Sequence, residues 1–158
     1  MSLNVVLVHP RIPQNTGNIA RLTAAIYARL HLIEPMVFSL DDKYLKRAGL
    51  DYWPEVQLSV HKSWEAFIEC GAVRDEQLWF FTKKAEKSYL EPAYRSGDYL
   101  VFGNEESGLD PAIHQKYASQ LVKIPTENQN VRSLNLSNAV SIGVFEAKRQ
   151  IESATAAS

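Results

Sequence analysis

Cysteine is nearly absent from this chain: Cys70 stands alone among 158 residues. That excludes an internal disulfide and any cysteine-based metal cluster, and it favours a reducing compartment, so the expected location is the cytoplasm. No apolar run approaches the roughly 20 residues of a membrane-spanning helix. The opening "MSLNVVLVHPRIP" lacks the basic region and small-residue cleavage site of a signal peptide. Excess charge of one sign is also missing, since 17 basic residues face 18 acidic ones. There is then no overall basic field of the kind many nucleic-acid binders carry, although a local basic patch can hide in a neutral total. Internal repeats, low-complexity blocks and interdomain linkers are lacking too. What is present is ordinary globular material, 46% hydrophobic and 22% charged. The expected organisation is one domain over residues 1–150, with a frayed tail over 151–158 ("ESATAAS" has little to bury).

The apolar run "LNVVLV" (Leu3 to Val8) reads as a buried strand, and "RIPQNTGNIARLTAAIYARL" as a loop feeding a helix. Asn15 or Thr16 would supply the cap before Ile19, Leu22, Ala25 and Ile26, which recur at helical spacing. "LHLIEP" predicts a second strand stopped by Pro35, and "DDKYLKRAGLDYW" a helix with charges complementing its dipole. "VQLSV" predicts a strand and "SWEAFIEC" a short helix capped by Ser63. Strands follow in "QLWFFTKK", "DYLVFGNEESGLD" and "QLVKIP", with a helical turn "PAIHQKYA" after an Asp110 cap. "VRSLNLSNAVSIGVFEAKRQ" reads as the last helix. Strands alternating with helices predict an α/β fold: a mostly parallel sheet with helices on both faces. Ligands of such sheets sit outside the carboxyl ends of strands, so the loops after Val8, Phe81, Phe102 and Ile124 matter most.

In "FGNEESGL", Gly103 and Gly108 bracket Glu105 and Glu106 just past an apolar strand. This is either a turn with solvated acids or a loop that lets a ligand approach the backbone. It is no phosphate loop, because no Lys-Ser/Thr follows and the acids would repel phosphate. Arg21 lies near the start of a helix, where its charge opposes the macrodipole. It is solvated, pairs with Glu105, or awaits an anion. His9, His31, His61 and His114 sit in separate segments without metal-ligand spacing, so no metal is expected. Ser133 and Ser137 lack a nucleophile elbow. In the last helix Asn135, Ser137, Asn138 and Ser141 are threaded among apolar residues. They either satisfy one another inside a crowded contact or line a site.

Taken together, "NTGNIAR", "LHLIEP", "RAGLDYW", "FGNEESGL" and "IPTENQNVRSLNLSNAV" resemble, in order and over Leu3 to Gln150, the SPOUT superfamily of RNA methyltransferases. The likeness is greatest to the single-domain tRNA (cytidine/uridine-34) 2′-O-methyltransferases of the TrmL type. The resemblance implies a C-terminal deep trefoil knot, a homodimer and S-adenosylmethionine held by backbone groups of the knot loops. On matching positions these are Phe81, Gly103, Ile124, Ser133 and Leu134. It also implies a reacting centre formed by Arg21, Asn15, Glu105, Ser133 and Asn135, with Arg21 acting on the ribose 2′-hydroxyl and Asn15 and Glu105 orienting it. Leu136, Ala139, Val140 and Gly143 would pack the last helix into the dimer and the knot. With no appended RNA-binding domain, the anticodon stem-loop of tRNA would be gripped by Arg11, Lys43, Lys46, Arg47, Lys83 and Lys84 of both subunits. The chain departs from the family pattern where a glycine usual before "LHLI" is replaced by Tyr27 or Ala28, at Val37 in "PMVF", and at Thr126.

Overall fold

Alternation within short strands decides which way each side chain is buried. In β1 (Asn4–Val8), Val5 and Leu7 pack with Leu3 into one core, whereas Val6 and Val8 pack into another on the opposite face. The computed structural model describes residues 2–49, 52–71 and 73–157. After β1 come α1 (Pro13–Ala25), β2 (Arg29–Ile33), α2 (Lys43–Gly49), β3 (Gln57–His61), α3 (Trp64–Glu69), β4 (Leu78–Phe81), β5 (Tyr99–Phe102), α4 (Pro111–Lys116), β6 (Leu121–Val122) and α5 (Leu136–Ala157). The end of the predicted "DDKYLKRAGLDYW" helix, at Leu50 and Asp51, lies outside the described residues.

The strands form one sheet in the order β3-β2-β1-β5-β4-β6, and every pairing is parallel. The chain winds outward through β2 and β3, then returns to the other side of β1. The winding direction thus reverses between β1 and β5, the place where open α/β sheets have their ligand crevice at the carboxyl edge. One core collects Ile19 and Ala20 of α1 with Val140, Val144, Ala147 and Ile151 of α5, over Leu30, Leu100, Phe102 and Val122. The second collects Phe67 of α3 and Ile113 and Tyr117 around α4, over Leu78, Phe80 and Val101. Helices on both faces are therefore observed.

The region after β6 is laced to the segment after β4. Thr82 N–H donates to the Val122 carbonyl (2.9 Å), Lys123 N–H to that of Lys87 (2.9 Å), and Tyr89 N–H to that of Lys123 (2.8 Å). Lys83 Nζ reaches the Arg132 carbonyl at 3.1 Å. α5 then lies tightly on the sheet: a Cβ added at Gly143 would stand 2.7 Å from the Phe81 ring. Leu136 and Ala139 are partly buried and Val140 fully, so the expected packing positions of this helix do face inward.

Three expectations need correction. The 151–158 tail is not frayed: α5 runs to Ala157 and Ile151 is buried, because the alanine-rich end prolongs a helix already anchored in the core. Ser158 lies outside the described residues. Neither Asn15 nor Thr16 caps α1, which starts earlier, at Pro13, with Ile12 as its uncapped N-terminal flank. The last helix starts at Leu136, and "VRSLN" precedes it as non-helical chain.

Tyr27 occupies the position that a glycine would favour. It has φ +57° directly after α1, where Ala28 N–H closes the helix end on the Thr23 carbonyl at 2.9 Å. Replacing Tyr27 by Gly should stabilise the fold by about 1 kcal/mol, read as a raised urea midpoint with an unchanged slope.

A polar ladder crosses the sheet beneath α3. Asn4 Oδ1 lies 3.0 Å from His31 Nε2, and His31 Nδ1 lies 3.1 Å from His61 Nε2. Phe67 and Tyr99 pack their rings against His31. Burial, then the neighbouring His61 and Arg29, push the His31 imidazole down to about 4, and burial lowers His61 too. A histidine depressed in the fold takes up protons more readily when unfolded. The stability contributed is therefore present above the ordinary 6.5 and lost as pH falls from there toward 4. Denaturation series between pH 7 and 5 should show that loss in the wild type and a flatter profile in His31→Gln.

Candidate active site

The crevice between β1 and β5 is closed by one carboxylate. Glu105, in the loop after β5, accepts from Arg11 N–H on Oε1 (2.9 Å) and from Ile12 N–H on Oε2 (2.9 Å). It also accepts from Asn15 Nδ2 at 3.2 Å. Both oxygens are thus committed to the chain entering α1, which has no side-chain cap of its own. The turn that aims Glu105 is tight. Asn104 Oδ1 accepts from Glu106 and Ser107 N–H (2.9 and 2.8 Å), and a Cβ at Gly103 would fall 2.2 Å from the Gly108 carbonyl carbon. Only glycine fits there.

Asn15, buried in the first turn of α1, passes the connection on. Its Oδ1 accepts from Asn135 Nδ2 at 3.1 Å. Asn135 in turn caps α5, its Oδ1 accepting from Ser137 N–H (2.9 Å) and Asn138 N–H (3.3 Å). Ser141 Oγ donates to the Ser137 carbonyl within the helix (3.0 Å). The polar residues of the last helix thus divide: Ser137 and Ser141 satisfy their own helix, while Asn135 both caps it and ties it to the crevice.

Three of the five expected reacting-centre residues, Glu105, Asn15 and Asn135, are therefore joined in one hydrogen-bonded chain. Ser133 and Arg21 are not part of it. Ser133 is exposed in the 125–133 span. Arg21 lies six residues beyond Asn15 and faces α2, stacked over Tyr52 with its Cζ 4.7 Å from the ring centroid. The ion pair considered for Arg21 and Glu105 does not form. Arg11 pairs with Glu106 instead (Nε to Oε2, 3.1 Å).

Of the expected cofactor-holding positions, Phe81 ends β4 and Gly103 follows the neighbouring β5, and the Phe81 and Phe102 rings stack at 4.6 Å. Ile124 follows β6, next in the sheet. Among the described residues, the backbone groups of Ile124, Ser133 and Leu134 make no hydrogen bond within the chain. Ile124 lies just past β6, and Ser133 and Leu134 lie on the non-helical chain before α5; main-chain groups without such bonds suit a ligand recognised through the backbone. Two cavities lie elsewhere. One of about 490 Å³ is lined by residues of 34–40 and Val60; the other, of about 470 Å³, is lined by His9, Lys62, Trp64 and α4. No group of acids, histidines and cysteine suited to a metal is found among the described residues.

Residues 2–145 match the model of the SpoU rRNA Methylase family. The chain belongs to this family. Among SpoU relatives, a tRNA (cytidine(34)-2′-O)-methyltransferase of Burkholderia pseudomallei is 49% identical over 93% of this chain and 94% of its own. One of Escherichia coli K12 with the same name is 47% identical over 94% of each. A solved structure from work on 2-OH methylation of C/U34 on tRNA superposes with a TM-score of 0.86 at 44% identity, covering 94% of this chain and 95% of that one. An AdoMet-bound rRNA methyltransferase of Sinorhizobium meliloti superposes with a TM-score of 0.78 at 26% identity, covering 94% of this chain and 56% of that one.

Several features of the site carry no sequence signal. Nothing in "EES" distinguishes Glu105, which grips backbone, from Glu106, which meets Arg11 at the surface. Tyr52, too, reads as a helix end until its contact with Arg21 is seen. Glu105→Gln puts an amide N–H against a backbone N–H that has lost its acceptor. The expected cost is about 1–3 kcal/mol, measurable by chemical denaturation, with a larger cost for Glu105→Ala.

Proposed function

We propose that the chain methylates the ribose 2′-hydroxyl of nucleotide 34, cytidine or a modified uridine, in certain tRNAs, with S-adenosylmethionine as donor. The observation that carries this reading is the chain of hydrogen bonds from Glu105 through Asn15 to Asn135. It assembles, at the crevice of a SpoU fold, side chains placed there by three distant parts of the sequence.

S-adenosylmethionine, when bound, supplies a methyl group on a sulfonium, already activated for displacement by the ribose oxygen. The chain's residues must hold that donor, align the hydroxyl and manage one proton. Main-chain groups of Ile124, Ser133 and Leu134, with Phe81 and Gly103 at adjacent strand ends, hold the cofactor. Glu105, bonded through both oxygens to the chain entering α1 and to Asn15, fixes the start of that helix, and Asn15 and Asn135 fix α5 against it. Arg21 remains charged and acts as a donor to the developing 2′-oxyanion and a neighbouring phosphate. Ser133, on the open span before α5, completes the acceptor side.

The same reading includes the trefoil knot, a cytoplasmic location and a homodimer. No helix among the described residues is long and apolar enough to cross a membrane. On α5, Ile142 and Phe145 are exposed at 37% and 50%; together with Asn138 and Arg149 they form an outward stripe suited to a second copy. Of the residues assigned to gripping the anticodon stem-loop, Arg11 and Lys46 are half-neutralised by Glu106 and Asp41. Lys43, Arg47 and Lys84 form no ion pair among the described residues, which favours them as phosphate contacts.

Purified protein given labelled S-adenosylmethionine and unmodified bulk tRNA should produce a 2′-O-methylated nucleoside at position 34, identified by mass after digestion. Activity should fall at least a hundredfold in Arg21→Ala, and tRNA affinity should drop steeply with salt. Absence of cofactor binding would overturn the reading. Transfer to rRNA but not to tRNA would leave the chemistry and change the substrate.

A further inference from the structure

Helix α1 carries Gly17 and Arg21 four residues apart, on one stripe. At Gly17 the helix touches α2 so closely that an added Cβ would lie 2.5 Å from Ala48 Cβ and 2.7 Å from the Leu45 carbonyl oxygen. One turn further along the same stripe, Arg21 meets Tyr52. The guanidinium lies over the ring, with Cζ 4.7 Å from the centroid. Nη2–H donates to Tyr52 Oη at a long 3.4 Å. Tyr52 is firmly mounted, because the turn behind it is closed by Glu55 N–H on the Tyr52 carbonyl (2.9 Å) and by Val56 N–H on that of Trp53 (3.1 Å). Trp53 itself packs against the main core.

We propose that Tyr52 is the positioning residue for Arg21 in methyl transfer: its ring fixes the plane and direction of a guanidinium that no other described residue holds. This rests on the role given to Arg21 above. Among the described residues, Arg21 forms no ion pair and no other hydrogen bond. Among the described residues only one of its five N–H donors is engaged, which leaves donors for a ribose oxygen and a phosphate. The side chain is exposed, and an unrestrained arginine carries substantial rotamer freedom that must be lost at each turnover. A flat aromatic support removes part of that freedom in advance, without neutralising the charge as a carboxylate would. The ring face does this work; the hydroxyl contact is too long to contribute much.

The test measures steady-state methylation of tRNA by the full chain. Tyr52→Ala should lower kcat about fivefold, the scale of an exposed cation–π contact, with KM for S-adenosylmethionine unchanged and KM for tRNA within about twofold. Tyr52→Leu, which keeps an apolar side chain on the turn, should show the same loss, and Tyr52→Phe should recover most of the activity. Under single-turnover conditions in an Arg21→Gln background, Tyr52→Ala should add no further loss, since both changes act through one group. Unchanged kcat in Tyr52→Ala, a rise in tRNA KM alone, failure of Tyr52→Phe to recover, or additive losses would each overturn the proposal. Failure of the wild-type chain to methylate tRNA would overturn the functional reading instead.

Discussion

The candidate site depends on a carboxylate, Glu105, that grips backbone. Helix α1 begins on Ile12 with no side-chain cap, and its entering N–H groups point into the crevice beside β5. Glu105 satisfies two of them at once, and a charge near a helix start is favoured by the aligned peptide dipoles. Without that clamp the loops after β1 and β5 would be tied, beyond their strands, chiefly by the exposed Arg11–Glu106 ion pair. With it, Asn15 is held where it can accept from Asn135, and the start of α5 is drawn to the same place. Glycine at position 103 is required upstream, because the turn that delivers Glu105 folds back so closely that any Cβ would fall far inside van der Waals contact of the Gly108 backbone. The chain of dependence thus runs from a backbone constraint, through a cap supplied from another loop, to the placement of the helix that follows the open 125–133 span.

Much of this was legible in the order of the residues. Apolar runs of four or five residues between helical periods called for a parallel α/β sheet, and two of the loops expected at carboxyl ends of strands, those after β1 and β5, meet through Glu105. Ser63 and Asp110 cap their helices as their position suggests, because capping is a local matter of one side chain and the next two or three N–H groups. Where the physics is long-range, reading by segment fails. Asn15 looks like a cap but sits inside the first turn, where it bonds side chains ninety and more positions away. His31 and His61 seem isolated in sequence and become partners through strand pairing. Arg21 invites pairing with the nearest suggestive acid, yet α1 turns it toward α2 and an aromatic ring. The tail looked too poor in apolar residues to be ordered, but a long helix needs only one anchor, Ile151, to carry alanines along. The family resemblance pointed to what periodicity could not: that Glu105, Asn15 and Asn135, from separate parts of the chain, lie together.

The Asn4–His31–His61 ladder has a consequence for how the sheet assembles. Parallel strands rich in valine, leucine and isoleucine, buried on both faces, discriminate poorly among neighbouring alignments, since one branched side chain fills a hole much like another. A polar group in such a place has only one satisfactory partner. Sliding β2 by a residue against β1 would point His31 at the opposite face and strand the Asn4 amide in apolar surroundings, and sliding β3 would do the same to His61. The ladder therefore works as a key cut into an otherwise smooth edge. It adds to the penalty on every misaligned sheet, so that one alignment of the three strands is favoured, and with it one placement of the loops at their carboxyl ends.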